Sequence, residues 1–219
     1  MTSAIGLTLL AATAVVAQEP HDQHQQAHAA HGNPADLEAY IRGLEDPERD
    51  EWQRPQRVVA ALGLEHGLTV CDIGAGPGYF TLRLTPLVGE TGHVFAVDVE
   101  PVILDALRKR LAKFGVSNVT PVLAQPDNPL LPKQSCDLIL VVDTYHHFPD
   151  GPGYLRALSR VLRPGGRLVN IDFRIDAERG PRHRVSRKAF LEQAAAAGYE
   201  LEREETFLPH QYFLVLRQP

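Results

Sequence analysis

The amino-acid sequence predicts an α/β fold, a doubly wound and mostly parallel sheet with helices on both faces. Three observations carry this. From residue 55 onward, short apolar runs alternate with amphipathic stretches, the β-then-α rhythm of a parallel sheet. One run, Leu138 to Val142, is too continuously apolar for a sheet with one wet face. The length of 219 residues, with 44% hydrophobic and 22% charged residues, suits one α/β domain with a substantial core; it excludes wholesale disorder, a collagen-like chain and a polytopic membrane protein.

The N-terminal region stands apart from that rhythm. Residues 1–17 carry no charge, and Ala4 to Ala17 is mostly apolar and small. The run is too short to span a bilayer but suits the apolar region of a signal peptide, with Val15-Val16-Ala17 ahead of Gln18 for cleavage, although no Lys or Arg precedes it. The expectation is a signal-like leader, with an exported or periplasmic protein if the leader is used and a cytoplasmic one otherwise. Residues 18–34 form a His/Gln-rich linker that cannot bury a core. In it His21, His24, His28 and His31 are spaced 3, 4 and 3 apart, so a helix would align them on one face where neutral imidazoles hold a divalent metal. A solvated linker without a site is the favoured reading.

The folded domain is expected over residues 35–219, with N-terminal helices over 35–62 and a core over 68–217. Asp36 to Leu44 reads as helix, a short turn runs through Trp52, and Pro55 opens a helix to about Leu62 that Gly63 ends. Leu68 to Ile73 is a compact buried strand, and Tyr79 to Leu87 a helix. His93 to Asp98 is the second strand. Pro101 to Phe114 is an amphipathic helix closed by Gly115. Val119 to Ala124 and Leu138 to Val142 are the next strands. Tyr154 to Leu162 is a helix stopped by Pro164-Gly165-Gly166, and Arg167 to Phe173 is a fifth strand. Ser186 caps a helix to Ala197, and Leu201 to Leu208 and Gln211 to Arg217 close the chain as two strands.

A net charge of −5 gives no basic field for nucleic acid or anionic lipid, and no stable membrane span is expected in the mature chain. The two cysteines, Cys71 and Cys136, make neither a framework nor a CxxC pair, and each borders an apolar run. Two reduced, buried thiols are expected, neither of them catalytic.

Ligands of such sheets sit beyond the strand C-termini. There the first strand ends in Asp72-Ile73-Gly74-Ala75-Gly76-Pro77-Gly78, a GxGxG turn whose glycines let a ligand approach the backbone. A dinucleotide loop would place its third glycine one residue later, at Tyr79. Asp98, followed by Val99, ends the second strand, where a carboxylate accepts hydrogen bonds from ribose hydroxyls. Asp127, after the third strand, is placed to accept from an adenine amino group. Asp72 beside the loop repels phosphate and favours an ammonium or sulfonium.

With these segments in view, namely VCDIGAGPGYF (70–80), HVFAVDVEP (93–101), AQPDNPLLP (124–132), CDLILVVDTYHHFPD (136–150) and LRPGGRLVNIDF (162–173), the chain resembles the class I S-adenosylmethionine-dependent methyltransferases over residues 55–217. The resemblance implies a Rossmann-like, seven-stranded sheet whose last strand is antiparallel, closed by a hairpin at 204–217. It implies S-adenosylmethionine as methyl donor, held at the methionyl part by Asp72, Gly74, Gly76 and Gly78, at the ribose by Asp98, at the adenine edge by Asp127, and just past the fourth strand by Asp143, with Ala75 and Val99 as further candidate cofactor contacts.

Methyl transfer from a sulfonium needs alignment and exclusion of water, and a base only where the acceptor carries a proton. At the end of the fourth strand Tyr145 and His146 are the candidate catalytic residues; His147 reads more readily as structural. Trp52 is a candidate for stacking and Arg54 for clamping an acidic group. The basic stretch Arg174, Arg179, Arg182, His183, Arg184 and Arg187 is either a lure for an anionic acceptor or a solvated loop. The function read here is a methyltransferase acting on a small-molecule acceptor, with no nucleic-acid partner. The alternatives are a Rossmann-type NAD(P) oxidoreductase, disfavoured by the glycine spacing and Asp72, and an exported non-catalytic protein that binds the donor or a metal.

Overall fold

The computed structural model describes residues 36–219, so the leader, the linker and the stripe of His21, His24, His28 and His31 lie outside the described residues. The described chain enters through three short helices, α1 (Leu37–Leu44), α2 (Arg49–Gln53) and α3 (Pro55–Ala61). Asp36 caps α1 by accepting from the Ala39 N–H at 2.9 Å, which satisfies one of the helix's orphan donors. Arg54 joins α2 to α3 in left-handed backbone, φ 48°, and Pro55 occupies the first turn of α3, where its missing N–H is not needed.

Strands and helices then alternate: β1 (Thr69–Ile73), α4 (Thr81–Val88), β2 (His93–Asp98), α5 (Pro101–Lys113), β3 (Val119–Leu123), β4 (Cys136–Val142), α6 (Gly151–Val161), β5 (Leu162–Phe173), α7 (Arg187–Ala196), β6 (Glu200–Glu205) and β7 (Gln211–Arg217). They build one seven-stranded sheet in the order β3-β2-β1-β4-β5-β7-β6. Neighbours from β3 through β5 pair in parallel, and β7 runs antiparallel to both β5 and β6. This is the seven-stranded architecture with a reversed last strand that the sequence resemblance implied. The winding direction changes between β1 and β4, so their C-terminal ends open the crevice where such folds take ligands.

The continuous apolar run of β4 is explained by the two faces of the sheet. Leu138, Leu140 and Val142 pack among residues of α3 and α4, while Ile139 and Val141 pack among residues of α6 and α7. Several boundaries differ from the sequence reading, and two of them have a local cause. β5 begins at Leu162 rather than Arg167, because Pro164-Gly165-Gly166 forms an irregular stretch of strand: the pairing jumps from Cys136 with Leu162 to Leu138 with Arg167, and Gly165 has φ 79°. α6 begins at Gly151, because the Asp150 carboxylate caps it by accepting from the Gly153 N–H at 2.9 Å.

Cys71 and Cys136 correct the expectation of two reduced thiols. Both are fully buried, and the pairing of β1 with β4 brings their Cα atoms to 6.0 Å, where they are joined as a disulfide across 65 residues of chain.

Candidate functional site

The turn after β1 is held open by its own backbone. The Gly74 and Ala75 N–H groups donate to the Val97 carbonyl at 2.8 and 3.0 Å, which pins the loop to the end of β2. Gly74 has φ 71°, and a Cβ there would stand 2.2 Å from Thr144 Oγ1, so only glycine fits between the loop and the end of β4. At Gly76, φ 57°, the nearest atom to a Cβ would be Leu44 Cδ1 at 3.5 Å, so α1 lies across the loop.

The acidic residues divide into different roles. Asp98 turns toward the loop: its Oδ2 accepts from the Gly76 N–H at 2.9 Å and its Oδ1 from the Glu100 N–H at 3.0 Å. A carboxylate offers about four lone-pair sites, so capacity remains for ligand hydroxyls. Burial pushes the Asp98 carboxyl up to about 6, against the pull of those backbone donors. Asp72 is not the rim charge expected from its place in the sequence. It is buried, and its Oδ2 accepts from the Thr81 hydroxyl at 2.6 Å, which ties β1 to the first turn of α4. Burial raises it to about 6, with Asp98 adding to the rise and Arg49 opposing it, so it acts on the site from behind the loop. Val99 follows Asp98 and packs partly buried against the core. Asp127 lies exposed in the turn closed by the Gln125–Asn128 bridge, and its carboxylate makes no hydrogen bond among the described residues.

Past β4, Asp143 adopts left-handed backbone, φ 51°. Its Oδ1 accepts from the Gln211 side chain and its Oδ2 faces Arg49 at 3.5 Å. Arg49 also donates to Gln53 at 3.3 Å, and Gln53 donates to Gln211 at 2.8 Å, so two residues of α2, one just past β4 and one of β7 close a polar ring. Burial raises Asp143 to about 7; Arg49 opposes the rise and Asp172 adds to it. Arg49 lies 4.0 Å from the Tyr79 ring centre, and Asp50 accepts from the Tyr79 hydroxyl and from Arg83, at 3.1 Å. The helices before the domain core are thereby fastened over the glycine loop.

Of the two catalytic candidates, only His146 stands at the ligand edge. Tyr145 is a core residue. Its ring packs 4.7 Å from Phe190, and its hydroxyl donates to Gln193 on α7, which turns it away from the strand ends. His146 is buried, with Nδ1 at 2.9 Å from Asp172 Oδ1 and 3.0 Å from Oδ2. His147 is more exposed, its ring 4.2 Å from that of His146, and partial burial of the imidazole followed by the charge of His146 lowers it to about 4.

The outer cations are mostly spent on the fold. Arg54 donates to the Phe207 carbonyl at 2.6 Å rather than clamping a ligand. Arg184 donates to the carbonyls of Arg174, Ile175, Ala177, Arg179 and Pro181, Arg187 pairs with Glu204, and Arg174 holds the carbonyls of Leu208 and Pro209. Arg179 remains at the edge, 5.2 Å from the Trp52 ring centre, and Trp52 in turn meets Phe173 at 5.5 Å. Arg49 and Gln53 lie in the segment before the first domain helix and Asp172 at the end of the fifth strand, both stretches that the sequence places near the pocket, but no motif assigns any of them, or Gln211, a site role. Among the described residues, no cluster of His, Cys, Asp or Glu could hold a metal ion, and no helix is long and apolar enough to cross a membrane.

The glycine-lined turn with a carboxylate facing its backbone, beside a second, half-buried carboxylate past β4, suits a nucleoside with a cationic group. Comparison with known proteins agrees. Residues 64–206 match a family described as a methyltransferase domain. A curated relative, the ubiquinone/menaquinone biosynthesis C-methyltransferase UbiE of Pseudoalteromonas translucida, is 32% identical over 140 residues, 64% of this chain and 53% of the relative. The protein of the same description from Escherichia coli O1:K1 / APEC is 36% identical over 123 residues, 56% of this chain and 48% of the relative. The chain thus spans about half the length of the curated relatives it matches. A solved structure of an S-adenosylmethionine-dependent methyltransferase from Aquifex aeolicus superposes with TM-score 0.77 at 28% identity, covering 81% of this chain and 96% of that one.

Proposed function

The chain belongs to the methyltransferase-domain family, and from that premise we propose that it transfers a methyl group from S-adenosylmethionine to a small acceptor bearing a planar ring and an ionisable proton. The observation that carries the reading is the Asp98 carboxylate set against the Gly76 N–H at the mouth of a turn where Gly74 admits no side chain. When bound, the donor supplies a positively charged sulfur whose methyl group is open to in-line displacement. The residues of the chain do the rest. Asp98 has acceptor capacity for ribose hydroxyls, Gly74 to Gly78 let the ligand lie against backbone, and Asp72 and Asp143 set a negative field around a cation. The fastened helices α1 and α2 exclude water from the loop.

The acceptor class rests on Trp52 and Arg179 at the strand-terminal edge: the half-buried Trp52 ring is backed by the buried Phe173, and the Arg179 guanidinium lies 5.2 Å from the Trp52 ring centre. It is also consistent with relatives whose names place them in quinone biosynthesis. Calorimetry with S-adenosylmethionine, S-adenosylhomocysteine and NAD tests the donor: the first two are expected to bind at one site and NAD not at all. Transfer of labelled methyl from S-adenosylmethionine to a panel of phenols and hydroquinones, with aliphatic amines as the contrast, tests the acceptor. Binding of NAD alone would overturn the donor assignment, and labelling confined to the amines would overturn the acceptor class. Export of the chain is a further part of this proposal. A buried disulfide is at home in an oxidising compartment, and fractionation of the native host tests it.

A further inference from the structure

We propose that Asp172 is a positioning residue that holds His146 in the one tautomer able to accept the acceptor's proton; the inference rests on the methyltransferase reading and deepens it. Asp172 is fully buried at the C-terminal end of β5, where its carboxylate meets donors from Phe173 on the same strand and from His146 in the turn after β4. Oδ1 accepts from the Phe173 N–H at 2.8 Å, Oδ2 faces the His146 N–H at 3.3 Å, and both oxygens lie within 3.0 Å of His146 Nδ1. These backbone donors orient the carboxylate and stabilise its charge. A carboxylate only accepts, so Nδ1 carries the hydrogen, and in the neutral ring the lone pair then lies on Nε2.

Nε2 makes no hydrogen bond among the described residues. Among these residues the only buried side-chain polar atom without a partner is Asn170 Oδ1, so Nε2 keeps some access to open space. The charged and titratable groups around the ring are Asp172 on β5, Asp143 just past β4, whose charge is coupled to His146, and His147 beside it in the turn. His146 therefore sits at the same strand-terminal edge as the proposed donor pocket, with two carboxylates able to compensate an imidazolium. In the transfer, the electrons of the acceptor's bond to hydrogen form the new bond to carbon. The carbon–sulfur bond breaks with its pair left on sulfur, and the proton passes to Nε2. Asp172 then faces the imidazolium that results.

Nitrogen-15 NMR of histidine-labelled protein reads the tautomer directly and needs no acceptor. The wild-type chain is expected to show His146 protonated on Nδ1 and bare on Nε2. In Asp172→Asn the amide donates to Nδ1, and the hydrogen moves to Nε2. Turnover of that variant is expected to fall on the order of 10²- to 10⁴-fold, with the dissociation constant for S-adenosylhomocysteine unchanged. In His146→Ala, added imidazole is expected to restore part of the turnover, which a structural role would not allow. A wild-type ring protonated on Nε2, or an Asp172→Asn variant with full turnover, overturns the proposal. Should Asp172→Asn not fold, the wild-type spectrum still decides it. Failure of S-adenosylhomocysteine to bind wild-type protein would instead sink the methyltransferase reading, independently of the tautomer.

Discussion

Arg49 and Asp143 face each other at 3.5 Å across the boundary between the N-terminal helices and the sheet, with the Arg49 guanidinium also 4.0 Å from the Tyr79 ring centre. Both side chains are largely withdrawn from water, so the pair is screened less than a surface ion pair. Arg49→Ala removes the cation that opposes the burial of a carboxyl standing at about 7 even with Arg49 in place, so the carboxyl rises further in the variant. At pH 8 Asp143 is ionised, and its lost partner costs stability. At pH 6 it is protonated and needs no cation, so only the ring contact is lost. The expected fall in melting temperature is roughly 3–6 °C at pH 8, from about 1–2 kcal/mol in a domain of this size, and smaller at pH 6. Thermal denaturation of both proteins at the two pH values checks this; an equal loss at both would detach Arg49 from Asp143.

The glycines of the turn are not equivalent. Gly74→Ala would press a methyl group to 2.2 Å from Thr144 Oγ1 and 2.4 Å from its Cγ2, in left-handed backbone. Gly76→Ala meets only Leu44 Cδ1 at 3.5 Å, an ordinary contact, and carries the left-handed penalty of about 1–2 kcal/mol alone. Gly74→Ala is therefore expected to lose donor binding at least tenfold more than Gly76→Ala, with the greater drop in melting temperature. Calorimetry with S-adenosylhomocysteine ranks the two, and a reversed order would show that the Thr144 contact does not shape the site.

The fold was legible because its signals are local. The apolar run of β4 and the glycine turn each announce themselves within ten residues of chain, and the strand-end acids lie where the rhythm of strands puts them. The site was only partly legible, because its geometry depends on side-chain direction in irregular turns and on partners far along the chain. Tyr145 and His146 are neighbours in sequence, yet the short helical turn sends one hydroxyl to Gln193 and the other ring to Asp172. Arg54 and Arg184 read as free cations because nothing in a sequence shows which carbonyls need a donor; both are taken up by backbone oxygens. Asp72 read as a rim charge because its neighbours form the loop, whereas strand alternation turns it toward Thr81.

Donor binding should release protons. Asp98 and Asp143 are raised to about 6 and about 7 in the free chain, so both carry appreciable hydrogen at pH 6. Hydroxyl donors and a positive sulfur favour the ionised carboxylates and lower both values in the complex. The bound state then holds fewer protons, so affinity for S-adenosylmethionine rises with pH up to about 7 and levels off above it. A gain of roughly ten- to thirtyfold between pH 5.5 and 7.5 is expected, since each of the two carboxyls contributes at most a factor of about ten when its pKa falls by about one on binding, and the two factors multiply. Titration at pH 6.5 in phosphate and in Tris measures the released protons through the difference in buffer ionisation heat. Asp98→Asn should reduce the difference, and identical heats for the wild-type chain would contradict the coupling.

The buried link between Cys71 and Cys136 makes a prediction about chemistry and stability together. It closes a loop of 65 residues that contains α4, β2, α5 and β3, so reducing it frees the unfolded chain rather than loosening the native one. The chain-entropy relation gives roughly 4 kcal/mol for a loop of that length, and a melting temperature lower by roughly 8–16 °C. Both sulfurs are fully buried, so a thiol reagent is expected to label neither the native protein nor the protein unfolded without reductant, and to label both after reduction in denaturant. Two labelled cysteines in the unreduced, unfolded chain would mean that the thiols are free, and the stability difference would then vanish with the link. Protein recovered from a reducing cytosol and from an oxidising compartment should differ in this assay. The form with the higher melting temperature identifies the compartment whose redox state suits the fold.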